Sequence, residues 1–366
     1  MGKSGNKTKR KPLFSFFVIV AVLIVLIFVF RNNPVIYPFF SKLWPEKLSV
    51  ADSGEFQSDN VSETVMCGEK LVYYDTDTVY NEDGWSFKLN LSVPRLLAEG
   101  DSLLVESKDD NKCVVFSGFK QIYDVTEPSG IILSDVSESG SSIVVSREPG
   151  YRCKVTVYSK KGKNVFRAFF GEKYVTDAAL SADGRKIALC LMDISGDEIA
   201  STVSFYDIGK MEPFAETTDT GNVFSTVKFM DDGNAVAVGD KKAMGFSGSG
   251  KAIWQYSFDG SALQYYAYGN SNIALCLKKG DQKLVVLETD GDNYYSLHDA
   301  ADIKAIDIND DAVMAVTPRL VMFFTTRGYK IAETAVTNDI KAINMPGTGR
   351  CGLVIHNFGY EMLEAD

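Results

Sequence analysis

A β-hairpin pattern recurs eight times along the chain, and this repeat constrains the fold more than any other feature. In one copy, residues 179–191 (ALSADGRKIALCL), two apolar runs flank an Asp-Gly turn. Similar turns follow one another at a mean interval of about 40 residues, the length of one unit in several repeat architectures. The eight turns are centred on Gly68, Gly100, Gly140, Gly184, Gly233, Asn270, Asp310 and Gly349.

Each copy continues with a short apolar run, a second turn that ends in glycine, and another run. Val, Ile, Tyr and Phe alternate between the turns, which is typical of β-strands, and no apolar stretch after Phe30 keeps a helical period. The pattern predicts four short antiparallel strands per copy. The second turns lie at Gly84, Gly118, Gly162, Gly209, Gly250, Gly291 and Gly328, and the last copy has only Gly359.

Four strands in about 40–50 residues are the unit of a β-propeller blade. Immunoglobulin-like sandwiches need about 100 residues and seven strands each, and therefore do not fit the period. We predict an all-β fold, a β-propeller of about eight four-stranded blades, with seven as the alternative. The eighth copy supplies three strands, and residues 46–53 (EKLSVADS) are predicted to add the fourth and close the ring.

The N-terminal region predicts a membrane anchor. The stretch from Leu13 to Phe30 carries no charge, and as a helix it would be about 27 Å long, close to the hydrocarbon thickness of a bilayer. Five basic residues precede it, which favours a cytoplasmic N-terminus. A cleaved signal peptide is the alternative, but its small-residue cleavage site is missing from VFRNNP.

This interpretation divides the chain into four parts. We expect a basic cytoplasmic tail (1–12), a single transmembrane helix (13–30), a juxtamembrane stalk (31–45) and an extracytoplasmic propeller domain (46–366). Aromatic side chains favour the headgroup level of a membrane. The predicted interface residues are Tyr37, Phe39, Phe40 and Trp44.

The charge of the chain is unevenly distributed. Residues 1–31 hold six bases and no acid, so the remaining chain has 32 bases against 48 acids, a net charge of −16. Such an acidic domain is repelled by phosphate backbones. We therefore expect no nucleic-acid partner.

No arrangement of residues typical of catalysis or metal binding is evident. The six cysteines lie 37 to 86 residues apart and mostly within apolar runs, which favours buried free thiols over zinc ligands. The two histidines, His298 and His356, are far apart, and no nucleophile-elbow or metalloprotease pattern occurs. The sequence thus predicts no catalytic, metal-binding or cofactor-binding residues and no cofactor.

Three other patterns resemble ligand sites but are better explained by blade turns. Residues 245–252 (GFSGSGKA) match part of a P-loop, yet Ala252 stands where Ser or Thr is needed and a strand follows. The run SGKAIW resembles the end of a quinoprotein blade, but Trp254 is the only tryptophan in the chain at the matching position after a turn glycine. We therefore expect Trp254 to pack between blades. Acidic runs such as residues 307–311 lack the spacing of a calcium loop and suit turns.

Aromatic residues are frequent in the later copies, and most are expected to pack between blades. A minority of them could line a binding face for a sugar or a peptide. The residues concerned are Tyr265, Tyr266, Tyr268, Tyr294, Tyr295, Phe323 and Phe324.

Residues 173–210 (KYVTDAALSADGRKIALCLMDISGDEIASTVSFYDIGK), with the basic N-terminus and single span, resemble an uncharacterised bacterial family of membrane-anchored propellers. That family is a domain of unknown function related to quinoprotein-like and WD40-like propellers. The resemblance covers most of residues 60–366 and implies the fold and the topology. The resemblance assigns no active-site residues in this chain.

The sequence supports three hypotheses for the function. The first is a non-enzymatic binding or scaffold module for a protein partner or an envelope polymer, tethered to the membrane. The second is a propeller enzyme, either a quinoprotein-like oxidoreductase or a glycan hydrolase. The third is a structural subunit of an envelope complex. Fold alone does not decide among them.

Overall fold

The computed structural model describes residues 47–57, 60–291, 294–297 (main chain only), 302–336 and 339–365. These residues form thirty-two β-strands and belong to one compact unit that begins at Lys47. No helix among them is long and apolar enough to cross a membrane. The predicted span 13–30 and the predicted interface residues, which are Tyr37, Phe39, Phe40 and Trp44, lie outside the described residues.

The strands are arranged as eight four-stranded antiparallel sheets, which are the blades of a propeller. In blades 1 to 7 the strands are hydrogen-bonded in chain order. Blade 1 contains β2 (Val61–Cys67), β3 (Lys70–Asp75), β4 (Thr78–Asn81) and β5 (Ser86–Lys88). Blade 2 contains β6 (Pro94–Glu99), β7 (Ser102–Ser107), β8 (Lys112–Ser117) and β9 (Lys120–Thr126). Blade 3 contains β10 (Ile131–Val136), β11 (Ser142–Glu148), β12 (Tyr151–Tyr158) and β13 (Asn164–Phe170).

The later blades repeat the same order. Blade 4 contains β14 (Tyr174–Leu180), β15 (Lys186–Asp193), β16 (Ala200–Asp207) and β17 (Ala215–Thr220). Blade 5 contains β18 (Phe224–Phe229), β19 (Ala235–Gly239), β20 (Lys242–Phe246) and β21 (Ala252–Ser257). Blade 6 contains β22 (Ala262–Tyr268), β23 (Asn272–Lys279), β24 (Asp281–Glu288) and β25 (Tyr294–Leu297). Blade 7 contains β26 (Ala305–Ile308), β27 (Ala312–Val316), β28 (Leu320–Thr325) and β29 (Lys330–Ala335).

Both ends of the propeller domain build the closing blade. Its strands β30 (Ala342–Asn344), β31 (Cys351–His356) and β32 (Gly359–Ala365) come from the C-terminal end, and β1 (Leu48–Glu55) pairs with β32 as the fourth strand. The predicted closure by the N-terminal segment is confirmed, and the blade count is eight rather than seven. The turn at Gly359 joins the second and third strands of this blade, so it is not a second turn of the predicted kind.

The first strand of each blade lies at the centre of the ring. First strands of neighbouring blades contact one another, as β2 does with both β6 and β30. Apolar side chains fill the spaces between blades, for example Ile143 and Val145 of blade 3 against Ile187 and Leu189 of blade 4. Such burial contributes about 25 cal/mol per Å² of apolar area, and ring closure lets every blade bury both faces.

The free cysteines belong to these interiors. Cys67, Cys113, Cys153, Cys190 and Cys276 are buried, Cys351 is half-buried, and none forms a disulfide. The prediction of buried free thiols is therefore confirmed for five of the six.

The antiparallel strands give the ring two distinct faces. We name the face that carries the turns between first and second strands the turn face, and the opposite face, which carries the blade-to-blade connections, the connection face. On the turn face, neighbouring turns are joined by hydrogen bonds from Gly68 N to Gly100 O and from Ser139 N to Ala182 O. Gly100 has φ +52°, and a Cβ there would lie 2.7 Å from Glu138 Cγ, so the turn requires glycine.

The patterns that resembled ligand sites fold as predicted. Residues 245–252 end β20 and form a turn, in which Lys251 O accepts a hydrogen bond from Ser247 N. Trp254 packs between blades 5 and 6, and its indole Nε1 donates to Thr289 O at 2.8 Å. The acidic run at residues 307–311 includes the turn from β26 to β27.

Candidate functional site

A cavity of about 580 Å³ lies along the axis of the ring, within the size range of small-molecule sites. It is lined by the first strands of blades 2 to 6 and extends from the start of these strands, at Arg95 and Ser225, to the turns at Glu138 and Asp231. Its charged lining residues are Arg95, Glu99, Lys108, Asp135, Glu138, Asp177, Lys228 and Asp231. We call this cavity the axial cavity.

Three aspartates on first strands bind the main chain of the following blade. Asp177 Oδ2 accepts a hydrogen bond from Val227 N at 2.8 Å, joining blade 4 to blade 5. Asp307 Oδ2 accepts from Met345 N at 2.7 Å, joining blade 7 to the closing blade, and Asp135 Oδ2 lies 3.3 Å from Leu180 N. These carboxylates therefore hold neighbouring blades together.

Burial raises the pKa of all three aspartates. The pKa of Asp135 rises to about 7, with the Glu99 carboxylate adding to the effect of burial. Burial raises the pKa of Asp307 to about 6, and that of Asp177 rises although hydrogen bonds from Val227 and Thr226 oppose the change. Desolvation penalises the charged form of a carboxyl group, which is the physical cause.

One ion pair crosses the axial cavity. Lys228 Nζ in blade 5 lies 3.0 Å from Glu99 Oε2 in blade 2, and each side chain is about one third exposed (34%). The Lys228 charge also lowers the pKa values of Asp135, Asp231 and Asp307, opposing the effect of burial. Lys228 is thus the counter-charge for carboxylates on several blades.

Two tyrosines of blade 6 complete the wall. Tyr268 is largely enclosed and its hydroxyl donates to Val236 O at 3.3 Å, while the Tyr266 ring is 44% exposed and lines the cavity. The two rings pack edge to face with centroids 5.7 Å apart. Of the aromatic residues considered above, Phe323 and Phe324 are buried, and the side chains of Tyr294 and Tyr295 lie outside the described residues.

A second feature is an apolar patch on the connection face of blades 3 and 4. Tyr151 and Phe169 form an exposed ring pair with centroids 5.0 Å apart. The adjacent loop between β15 and β16 exposes Ile194 and Ile199. Lys173 in the intervening connection interacts electrostatically with Asp193 at the start of that loop. We call Tyr151, Phe169, Ile194 and Ile199 the outer patch.

Sequence reasoning missed the charged residues of the axial cavity. A signal was present for two of them, because Asp135 and Lys228, like Asp307 in blade 7, each occupy the penultimate position of a first strand whose last residue is apolar. A polar residue at such a position fits the alternation of polar and apolar residues along a strand, so the sequence does not mark it as a site residue. Only the ring brings these residues to one axis.

The side chains that can ligate metals are dispersed in the described part of the structure. In the part of the chain that the structure describes, no three His, Cys, Asp or Glu side chains are grouped as metal ligands. His356 lies in the closing blade with Nε2 4.0 Å from Glu361 Oε1, and His298 is outside the described residues.

Comparisons with known proteins agree with this architecture. The model of a family of unknown function (DUF5711) matches residues 46–359. No curated protein matches the chain in sequence. Among solved structures, BamB from Moraxella catarrhalis is similar with a TM-score of 0.57 and 11% identity, over 87% of this chain and 99% of that chain. The C-terminal WD40 domain of Sif2 is similar with a TM-score of 0.62 and 11% identity, over 88% and 99%.

Proposed function

The chain belongs to the DUF5711 family of unknown function, and we propose that it is a membrane-anchored, extracytoplasmic β-propeller that binds a partner protein without catalysing a reaction. The outer patch is the observation that carries this proposal. Four large apolar side chains, each between 44% and 50% exposed, belong to adjacent blades on one face. A group of large exposed apolar side chains on one face of a domain is typical of an interaction site.

The composition of the outer patch suits a protein partner. Aromatic residues are enriched where protein interfaces are fully buried, and Tyr151 and Phe169 already pack against each other at 5.0 Å. Such a preformed pair loses little side-chain freedom on binding, so it is well suited to be an energetic anchor.

The surroundings of the outer patch indicate the charge of the partner. The loop between β15 and β16 carries exposed Asp197 and Glu198, and exposed Glu172 lies in the connection between blades 3 and 4. Opposite charge at the rim of an interface accelerates association and selects partners. Exposed Arg147 and Arg152 flank Tyr151 as well, so the partner is a protein with an apolar surface whose border carries both basic and acidic groups.

The buried aspartates on the first strands support a non-enzymatic role. Asp177 and Asp307 each accept a main-chain hydrogen bond from the next blade at 2.8 Å and 2.7 Å. A carboxylate that fixes neighbouring blades in this way has a structural task, whereas a general acid or base must be free to reach a substrate.

Membrane anchoring is the part of the proposal that rests on the sequence. The uncharged stretch 13–30 and the basic residues before it support a cytoplasmic N-terminus and an external propeller. Single cysteines introduced into a Cys351→Ser variant, at Ser4 or at Ser195, test this topology in intact cells. A membrane-impermeant maleimide should label a cysteine at Ser195 and should spare one at Ser4. The reverse pattern would overturn the topology.

Site-specific photo-crosslinking tests the partner site. Tyr151 of the full chain is replaced by p-benzoylphenylalanine, and so, in a second variant, is Tyr329 in blade 7, which has a comparable exposure of 44%. We expect one discrete protein adduct at position 151, absent at position 329 and lost when Phe169→Ala is added. Equal adducts at both positions, or none at position 151, would overturn the proposal.

A further inference from the structure

We propose that the axial cavity binds an organic oligocation, a ligand with two or more ammonium or guanidinium groups separated by several bonds. This inference goes beyond the proposed function and does not rest on the outer patch. It starts from the volume of about 580 Å³, which accommodates a small molecule but not a folded partner.

The cavity already accommodates one ammonium group, which belongs to the chain itself. Lys228 extends from blade 5 and its Nζ is 3.0 Å from Glu99 Oε2 of blade 2. Blades 2 and 5 are not neighbours in the ring, so this ammonium lies within the opening rather than against one wall. The Lys228 ammonium is thus an example, within the chain itself, of the kind of group that we propose the cavity binds.

The acidic groups that line the cavity outnumber the basic ones. The described lining holds five carboxylates against three basic side chains. Asp231 faces carboxylates of other blades, and its pKa is raised by burial and then by Asp310 and Glu99. A second positive charge near Asp231 would relieve this repulsion, because opposite charges favour the ionised carboxylate.

The positions of the carboxylates favour separated charges over a single metal ion. The carboxylates of Glu99, Glu138 and Asp231, which the main-chain hydrogen bonds between blades do not use, come from blades 2, 3 and 5. A hard divalent cation needs several oxygen ligands within about 2.0–2.6 Å of one point. Charges spaced along a flexible chain can instead pair with carboxylates on different blades.

Tyr266 supplies the other element of cation recognition. Its ring is 44% exposed in the cavity wall, and the edge-to-face contact with Tyr268 at 5.7 Å fixes its orientation. A cation over the face of an aromatic ring is attracted by the ring quadrupole. Tyr266 therefore suits an ammonium or guanidinium group of the ligand.

Calorimetric titration of the full chain in detergent with spermidine and with trilysine tests this proposal. Saturable one-to-one binding of spermidine alone would identify a free polyamine as the ligand, and binding of trilysine would identify a basic peptide segment. Either result supports the proposal. Binding of neither probe, or an equal heat with magnesium at matched ionic strength, would overturn it.

Variants locate the site. Glu99→Gln should weaken probe binding at least tenfold, because it removes a carboxylate and frees Lys228 to repel the ligand. Tyr266→Leu should weaken it several-fold, and Asp281→Asn, an exposed acid on the connection face of blade 6, should change it less than twofold. Unchanged affinity in Glu99→Gln with an unchanged melting temperature would place the probe elsewhere. Crosslinking at Tyr151 is a separate measurement, so the proposal for the axial cavity and the proposal for the outer patch can be contradicted independently.

Discussion

Lys228 Nζ and Glu99 Oε2, 3.0 Å apart, join two blades that are not neighbours in the ring. The pair spans the axial cavity close to the turn face, since Glu99 ends β6 and Lys228 is the penultimate residue of β18. A propeller has few contacts across its axis, so this ion pair couples parts of the ring that are otherwise linked only through the blades between them.

Loss of the Lys228 charge should destabilise the propeller. Lys228→Gln leaves Glu99, Asp135 and Asp231 without their shared counter-charge, and we expect the free energy of unfolding to fall by about 1 kcal/mol, because the pair is partly exposed. Urea denaturation of the two single variants and of Lys228→Gln/Glu99→Gln gives the coupling energy. The exposed pair Lys88–Asp77, within blade 1, is the control, and Lys88→Gln should leave stability unchanged. A zero coupling energy for Lys228 and Glu99 would contradict the expectation.

Stability should fall as pH rises from about 5.5 to about 7.5, and level off above that, through the buried aspartates. The pKa of Asp135 is raised to about 7 and that of Asp307 to about 6, both above the ordinary value near 3.8. The folded state therefore holds protons that the unfolded chain has released. The stability contribution is complete below the ordinary pKa and is lost as pH rises through the folded-state values.

The corresponding measurement is a series of melting curves across this pH range. We expect the melting temperature to fall as pH rises, with an effect of Asp135 on the order of 2 kcal/mol. Asp135→Asn keeps an oxygen acceptor for Leu180 N and should flatten the profile. Asp193→Asn is the control, because hydrogen bonds from Ser195 lower the pKa of Asp193 and place its titration below the range. An Asp135→Asn profile as steep as the wild type would refute the assignment.

Removing a buried carboxylate between blades 2 and 3 should lower the free energy of unfolding more than removing an exposed one. Glu127 accepts hydrogen bonds from Tyr158 Oη at 2.8 Å and from Lys154 Nζ at 3.0 Å. Glu127→Ala leaves a nearly buried ammonium with only Glu148, and we expect a loss of about 3 kcal/mol in unfolding free energy. Asp124→Asn, which breaks the exposed pair with Lys112, should cost less than about 0.5 kcal/mol. Similar losses in both variants would contradict this ranking.

The cysteines should differ sharply in reactivity. Burial raises the pKa of the Cys67 and Cys113 thiols to about 12, so little thiolate forms there at neutral pH. We expect Ellman's reagent to modify the half-buried Cys351 first in the native protein and all six thiols after unfolding. Cys351→Ser should remove the early phase. An early phase that survives this substitution would show that a thiol in a blade interior is accessible.

Ring closure should make the propeller fold as one unit. Ending the chain at Thr337 removes β30, β31 and β32 and leaves β1 without a partner. The exposed apolar faces include Leu71 of blade 1, which packs on Leu353 and Ile355 in the full ring. We expect loss of the cooperative melting transition and insolubility. A control that shortens the exposed loop at residues 195–198 should melt like the wild type, and a soluble truncation with near-native melting would argue against coupling through the ring.

Much of the fold was predictable from the sequence because turns and strand periodicity are local properties. Gly68, Gly140, Gly184 and Gly233 have positive φ in the structure, and glycine adopts that conformation at the lowest cost. The spacing of such turns predicted four-stranded blades, and the three-stranded last copy predicted that the N-terminal segment completes it. The family resemblance and the buried cysteines followed from the same apolar runs.

The candidate sites could not be predicted, because they are made of residues from distant parts of the sequence. Glu99 and Lys228 are separated by three blades of sequence and meet across the axis only when the ring has closed. Tyr151 and Ile194 belong to different blades, and the chain direction places both on the connection face. Sequence determined which strands form and that they build four-stranded blades, since hydrogen bonding and alternation act within each blade, and the closed ring decided that the blades number eight and not seven. Tertiary structure decided which charges share the low-dielectric axial cavity and which apolar side chains remain exposed together, since both depend on the curvature of the closed ring.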